Sequence, residues 1–471
     1  MRLARRPRNF VAMSACAVLA GCAGANTLTG SASTASTIAQ PKATVRYTLP
    51  PPPPSASGPL PQDVVARLPR VVGSLEAGKL DRALLSAIGA SRDGRLGWML
   101  SDLLRFSGEG DTDVVVAAFV ALTGVDESEL RSTDIRSPWQ AATDLLFAWD
   151  LPAPPGYVMF KRDLFLAIEP RWAPFFDDVD ADIDWRLLSW GGVLIDDRRL
   201  GDKEPCTRGC IPALDDPVLT DADGGNWYPA ERIVFGLAID GEYVALPKNQ
   251  MEVHEMVNLT IAGHRIAVPY CTLCGSAQAY RTDEVVGAGR PLVMRTSGLL
   301  SLSNKVMYDL DSKSVFDTFT GRAVSGPLHR KGVVLPMVTT VVSTWGAWRT
   351  AHPSTRIVRQ DGGIGRTYGL DPLHGRDDNG PIFPIRRADQ RLPVHTQVLG
   401  VLTSDSPAVA FPVDAVKREL EAGRVVRAEG VEVISDGGGL VAMVGATPVA
   451  THQAFWFAWA QFHPGTALWQ P

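Results

Sequence analysis

Thr344-Trp345-Gly346-Ala347-Trp348-Arg349-Thr350-Ala351-His352-Pro353-Ser354-Thr355 returns near the end of the chain as Phe455-Trp456-Phe457-Ala458-Trp459-Ala460-Gln461-Phe462-His463-Pro464-Gly465-Thr466. Both tryptophans, the alanine, His-Pro and the final threonine keep their register. Upstream, Gly236 through Asp240-Gly241 to Ala245-Leu246-Pro247 is echoed by Gly400 through Asp405 to Ala410-Phe411-Pro412, with one residue inserted. Asn249 and Asp414, read as helix caps, fall at the same offset from these prolines. Ordered self-similarity of this kind marks a repeated structural unit. It predicts an α+β body with two related halves, about 226–355 and a shortened 390–471, packed as a pseudo-symmetric pair. The second half has no cysteine, and Glu419 stands where His254 stands in the first, so any chemistry is expected in the first half alone.

Around the first copy, from about Asn226, short apolar runs are punctuated by glycine. Ile233 to Ile239, Asp240-Gly241 and Glu242 to Leu246 read as a hairpin, because Asp-Gly supplies the positive φ angles of a tight turn. Asn249, with Glu252 three residues on, predicts a short helix carrying Val253, Met256 and Val257 on its core side and Met251, His254 and Asn258 on the adjacent stripe. Ile261-Ala262-Gly263 then turns into a strand in which Ile266, Val268 and Tyr270 alternate, with Cys271 at its end.

Tyr270-Cys271-Thr272-Leu273-Cys274-Gly275 sets two thiols two residues apart, followed by glycine. That spacing turns both sulfurs toward one point, and it suits three chemistries: a structural disulfide, a metal knuckle, or a redox-active pair. Two cysteines cannot close a tetrahedral metal site. His254 is the best further ligand, and Met307 would add a thioether that favours copper(I) over zinc, although core packing is the commoner role of methionine. Cys206 and Cys210 either complete an all-thiolate site for zinc or iron, or form a disulfide in their loop or with the other pair. His254-Glu255 invites comparison with the zinc-protease helix, but the position that needs a second histidine is Asn258. No Gly-x-Ser-x-Gly elbow and no phosphate loop is present, so hydrolase and nucleotide-enzyme readings have no anchor.

Toward the N-terminus the texture is helical. Leu80, Leu84 and Ile88, then Leu96, Met99, Leu100, Leu103 and Leu104, then Val115, Ala118, Phe119 and Leu122 each mark one buried face. Ser137-Pro138 with Gln140 opens a further helix through Trp149 with a capping box. Residues 61–200 are expected to form a helical domain, HEAT-like or a small bundle, suited to packing or to docking a protein partner.

Arg2, Arg5, Arg6 and Arg8 precede an apolar run from Phe10 to Leu19 and then Leu19-Ala20-Gly21-Cys22. The run is too short for a membrane span and has the layout of an export signal, residues 1–21. The last four residues resemble the bacterial lipobox, which implies a diacylglycerol on Cys22 and anchoring to a membrane on the extracytoplasmic side, in the cell envelope. Residues 22–60, rich in Ser, Thr, Ala and Pro and containing Pro50–Pro54, read as an extended tether. A net charge of -5 provides no basic surface for nucleic acid.

Five ordered motifs resemble a bacterial and archaeal family known as domain of unknown function 3179. They are Leu246-Pro247, His254-Glu255-Met256-Val257-Asn258, the Cys271–Gly275 run with Tyr270, Ser297-Gly298-Leu299-Leu300, and Ser303-Asn304-x-x-Met307-Tyr308-Asp309. Trp345 with His352-Pro353, Arg366-x-Tyr368 with Asp371-Pro372, and Phe455-Trp456-Phe457-Ala458-Trp459 fit as well. The resemblance runs from about Ile211 to the C-terminus, within a domain expected over 201–471. It implies no activity. It does favour His254, Glu255, Asn258, Cys271, Cys274, Ser297, Asn304, Met307, Tyr308 and Asp309 as the positions of interest, the last of these and Glu255, Asn258, Ser297, Asn304 and Tyr308 supporting the ligands. Thr272, Leu259 and Lys248 depart from the usual pattern, where a proline, an acid and an apolar residue are common. The expected function is metal binding, by copper or zinc, or thiol redox at Cys271, Cys274, His254 and Met307. The alternative is a non-catalytic envelope scaffold stapled by disulfides.

Overall fold

The computed structural model describes residues 49–131, 136–375, 381–386, 388–403 and 407–471. The export signal, Cys22 and most of the expected tether lie outside these residues, as does Asp405. Among the described residues no helix is long and apolar enough to cross a membrane.

The chain begins with helices. Arg82–Ala90, Gly97–Phe106, Glu109–Thr123, Pro138–Trp149 and Tyr157–Ile168 are the longest. Every apolar position read above as a buried face, from Leu80 to Leu122, is buried. The Ser137 capping box forms, with the Gln140 side chain accepting from the Ser137 N–H. The proline run lies against this helical region: Pro50 O accepts from Trp149 Nε1 at 2.8 Å, and Pro54 O accepts from the Gly94 N–H at 2.7 Å.

The remainder is a five-bladed β-propeller, which overturns the expected α+β body of two halves. One blade joins Val341–Thr344, Ile233–Ile239, Glu242–Pro247, Arg356–Val358 and Leu219–Thr220. Another joins Thr451–Phe455, Gln397–Val401, Val409–Pro412 and Ala467–Leu468. The recurring Trp/His-Pro run therefore belongs to single blades and not to halves. Residues 226–355 feed three different sheets, because the stretch between Pro247 and Val341 supplies two more blades. One is built on Met256–Ile261, His264–Cys271 and Ala279–Arg281, the other on Met294–Ser301, Asn304–Asp309, Val315–Asp317 and Ala323–Ser325, with Leu188–Trp190 at its edge. The fifth sheet, from Val426–Ala428 to Thr447–Val449, is inserted between Pro412 and Thr451.

The reason the run recurs is local packing. In each of the two blades a tryptophan from a short helix, Trp345–Ala351 or Trp456–Phe462, packs closely against a glycine of the neighbouring strand: a Cβ on Gly236 would fall 2.5 Å from the Trp348 ring, and one on Gly400 closer still to Trp459. Trp348 Nε1 donates to Thr355 Oγ1 at 2.9 Å and Trp459 Nε1 to Thr466 Oγ1 at 3.0 Å, so the spacing from tryptophan to threonine is set by one hydrogen bond.

Two local expectations are corrected. Asn249 is no cap: the helix Lys248–His254 starts after Pro247 without a side-chain cap, and Asn249 Nδ2 donates to Gly369 O instead. Val413–Glu421 likewise starts after Pro412, with Asp414 inside its first turn. The first helix also stops at His254, where Glu255 takes a left-handed φ of 52°, and Met256, Val257 and Asn258 lie on the following strand. β-branched and apolar residues pairing across a sheet override a helical period that short.

Candidate dithiol site

The strand His264–Cys271 ends in a single 3-10 turn, Thr272–Cys274, and Gly275 closes it at a φ of 57°. A Cβ on Gly275 would lie 2.6 Å from the Gln397 amide and 2.9 Å from Phe455 of the adjacent blade, so both the backbone angle and the close approach demand glycine here. The chain then doubles back as Ser276–Ala277, with Ser276 directly opposite Cys271. Residues opposite one another in an antiparallel pair share a face. Cys271 and Ser276 therefore share a face, and Gln278, whose N–H donates to Pro269 O at 3.2 Å, continues the same register two residues on.

Both cysteines are free thiols, Cys271 4% and Cys274 0% exposed. Both donate to one acceptor, the Ser303 carbonyl, at 3.8 Å from Cys271 Sγ and 3.3 Å from Cys274 Sγ. Ser303 belongs to the two-residue turn joining Met294–Ser301 to Asn304–Asp309, in which Leu302 and Ser303 take φ of 48° and 71°. Neither is glycine, so the turn is held in a costly conformation. Leu302 is buried within the apolar cluster of the helical region. The tip of this hairpin thus spans from the helices to the sulfurs.

Lys305, two residues further on, is buried. Its Nζ donates to Glu255 O at 2.5 Å and lies 3.5 Å from Glu255 Oε2. Burial pulls the Lys305 pKa down, opposed by Glu255 and by Cys271, which places the ammonium within electrostatic reach of the thiol pair. Thr272 Oγ1 donates to the other Glu255 oxygen at 3.3 Å. Burial and the neighbouring Cys271 push the Cys274 thiol well up.

Several buried polar atoms at this site have no hydrogen-bond partner among the described residues: Ser276 Oγ, both amide atoms of Gln278, Ser303 Oγ and Asn304 Oδ1. Native interiors leave few such atoms, since each costs about 1–3 kcal/mol. Asn304 and Lys305 also line a surface pocket, together with Ser301, Asp317, Thr318 and Phe462.

The other residues singled out from sequence are spent elsewhere. His254 has both ring nitrogens engaged, Nδ1 with Pro212 O at 2.7 Å and Nε2 with Tyr368 Oη at 2.6 Å, and burial lowers its pKa to about 4. Met307 packs in an apolar cluster with Met256, Tyr280 and Phe316. Asn258 clamps Asp215 and the Met294 backbone, and Ser297 Oγ donates to Val306 O. Tyr308 Oη donates to Asp196 O, and Asp309 receives Arg290 and two backbone N–H groups. These four pin the blade that carries the Ser303 turn. Cys206 and Cys210 are disulfide-bonded to each other.

Of the expected set, the structure brings Cys271, Cys274, Glu255 and Asn304 together. Sequence reasoning missed Ser276, Gln278, Ser303 and Lys305. Lys305 carried a signal, as a lone cation amid a buried strand. Ser276 and Gln278 could be reached only by knowing that the chain doubles back at Gly275. Among the described residues, one group of three His, Cys, Asp or Glu has ligand atoms within 4.8 Å of one another, His264, Asp283 and Glu284, and it contains neither cysteine.

A family model described as a protein of unknown function (DUF3179) matches residues 208–447, just over half of the chain. No curated protein and no solved structure matches.

Proposed function

This chain belongs to the DUF3179 family of proteins of unknown function, and we propose that its working part is a dithiol–disulfide redox centre formed by Cys271 and Cys274. The observation that carries the reading is the convergence of both thiols on Ser303 O beside the Lys305 ammonium. Closing the pair forms one S–S bond and releases two protons and two electrons to an oxidant; opening it reverses both. The attacking species is a thiolate, and a cation within reach favours that form. Cys271 is the attacking sulfur in this scheme, being the less buried and the one that Lys305 feels. Cys274, whose proton is held more tightly, is the resolving sulfur. Glu255 keeps Lys305 in place.

The compartment supports the same reading. Leu19-Ala20-Gly21-Cys22 and the charged, short apolar start favour export and a diacylglycerol anchor at the extracytoplasmic face of a membrane. The Cys206–Cys210 disulfide suits an oxidising environment, in which a thiol pair kept free is set apart for exchange.

A second reading rests on the same convergence. Two thiolates with no third His, Cys, Asp or Glu ligand atom grouped with them among the described residues suit a two-coordinate copper(I) ion far better than tetrahedral zinc. Thiol titration and peptide mapping of freshly purified protein, with metal analysis, separate the readings. The redox centre requires two titratable thiols that convert reversibly to a Cys271–Cys274 disulfide. Stoichiometric copper on unoxidisable thiols supports the metal site. Four cysteines locked in unreactive disulfides leave the scaffold alternative.

A further inference from the structure

We infer that the oxidant of this dithiol is a small uncharged hydroperoxide, bound by Ser276 and Gln278 on the face they share with Cys271, and not the disulfide of another protein. The inference rests on the dithiol reading. Its first support is steric. Exchange with a protein disulfide needs the attacking sulfur in line with the partner's S–S bond, which brings a second backbone to within a few ångströms. Cys271 at 4% exposure and Cys274 at 0% leave no surface for that approach.

The second support is the chemistry of the lining. Ser276 and Gln278 are both 0% exposed, and Ser276 Oγ, the Gln278 amide nitrogen and the Gln278 amide oxygen are without partners among the described residues. Ser276 sits opposite Cys271 by strand register, and the Gln278 N–H donates to Pro269 O at 3.2 Å, which carries the same register on by two residues. Ser303, whose carbonyl takes both thiols, carries a further hydroxyl without a partner among the described residues. Together these supply donors and acceptors for a molecule of two oxygens, and all are neutral. The nearby cation, Lys305, is already shared between Glu255 and the Cys271 thiolate it favours, and has no charge to spare for a third group. A charged oxidant would lose its hydration here without a counter-charge, whereas a neutral one exchanges water for these amide and hydroxyl contacts. Ser301, Asn304 and Lys305 flank the Ser303 turn and line a surface pocket, the opening from which a molecule of this size would enter in this scheme.

The step balances. Cys271 as thiolate attacks one peroxide oxygen, the O–O bond breaks, and the departing hydroxide or alkoxide takes a proton, leaving Cys271 as sulfenic acid. Cys274 then attacks that sulfur, forming the S–S bond and expelling hydroxide, which takes the Cys274 proton. In sum two thiols and one hydroperoxide give one disulfide, one water and one water or alcohol.

The test uses the full-length protein with Cys271 and Cys274 reduced, treated separately with hydrogen peroxide, oxidised thioredoxin and diamide, and the Cys271–Cys274 disulfide is followed by mass spectrometry. Peroxide is expected to form it at least about tenfold faster than thioredoxin at equal concentration. Gln278→Leu and Ser276→Ala are each expected to slow the peroxide reaction about tenfold, the cost of one lost hydrogen bond, while leaving the diamide rate within about twofold. If diamide closes the pair but thioredoxin matches or outpaces peroxide, or if neither variant changes the peroxide rate, the inference is overturned and the dithiol reading stands. If no oxidant joins the two sulfurs, the dithiol reading falls with it. Should Gln278→Leu fail to fold, Ser276→Ala, which removes a single oxygen, decides the matter.

Discussion

The Cys274 thiol donates to the Ser303 carbonyl across 3.3 Å, joining the end of one blade to the hairpin turn of the next. The residue before Ser303 is Leu302, buried among the helices. The position of that carbonyl, and with it the approach of the two sulfurs, is therefore held from the helical region.

Leu302→Ala should loosen that link. Truncating a buried leucine is expected to cost about 3 kcal/mol, seen as a lower denaturation midpoint. The variant should also alkylate faster at Cys274 than wild type under native conditions. Unchanged alkylation at a lowered midpoint would show that the turn is held by its own blade.

Lys305→Met keeps the length of the side chain and removes the cation. Without the ammonium the pair loses the neighbouring positive charge that favours nucleophilic attack, so its alkylation should be slower across the pH range. A profile superimposable on that of wild type would remove Lys305 from the site.

Arg295 is 0% exposed and forms two hydrogen bonds to Asp215, at 2.9 and 2.6 Å. Asp215 is also held by Asn258. Arg295→Met leaves a buried carboxylate without its charge partner and should destabilise the protein by about 3–5 kcal/mol, whereas Arg295→Met combined with Asp215→Asn should recover a substantial part. Chemical denaturation of the single and double variants measures both.

Acid should weaken the fold through its buried histidines. Burial lowers His254 to about 4 and His463 to about 4, and His452, with His463 also contributing, to about 3. The unfolded chain takes up these protons near pH 6.5 and the folded protein does not, so stability present above pH 6.5 is lost as the pH falls toward 4. For His254 alone the loss is on the order of 3 kcal/mol. His254→Asn should flatten the decline in unfolding free energy between pH 6.5 and 4; an equally steep decline in the variant would place the acid sensitivity elsewhere.

Gly236→Ala and Gly400→Ala test the recurring packing. A methyl at either position meets a tryptophan ring, Trp348 or Trp459, which is itself tied to Thr355 or Thr466. Each substitution should cost at least about 1–3 kcal/mol, read from thermal or denaturant midpoints. A neutral outcome at both would mean that the rings can shift.

What is local in its physics was legible from the residues alone. The buried faces from Leu80 to Leu122 follow from helical period, the Ser137 cap from one side chain within reach of its own backbone, and the Asp240-Gly241 turn from two positive φ angles. The cysteine spacing, and Tyr270 to Gly275 as a family signature, were visible in the same way. The recurrence of Trp348 and Trp459 was legible too, but its meaning was not. An internal match states that two segments solve the same packing problem, while the sheet in which each strand finds its partner depends on contacts far apart in sequence. Residues 248–340 therefore build two further blades between strands of one sheet, which no local pattern records. The same holds for the site. His254 lies close to the cysteines in sequence, yet its two nitrogens are taken by Pro212 and Tyr368, while Ser303 and Lys305, about thirty residues beyond Cys271, arrive beside the thiols because one blade sets its turn against the next. Hydrogen bonding and charge act through space, so only the tertiary structure decided which of the chemically able residues meet.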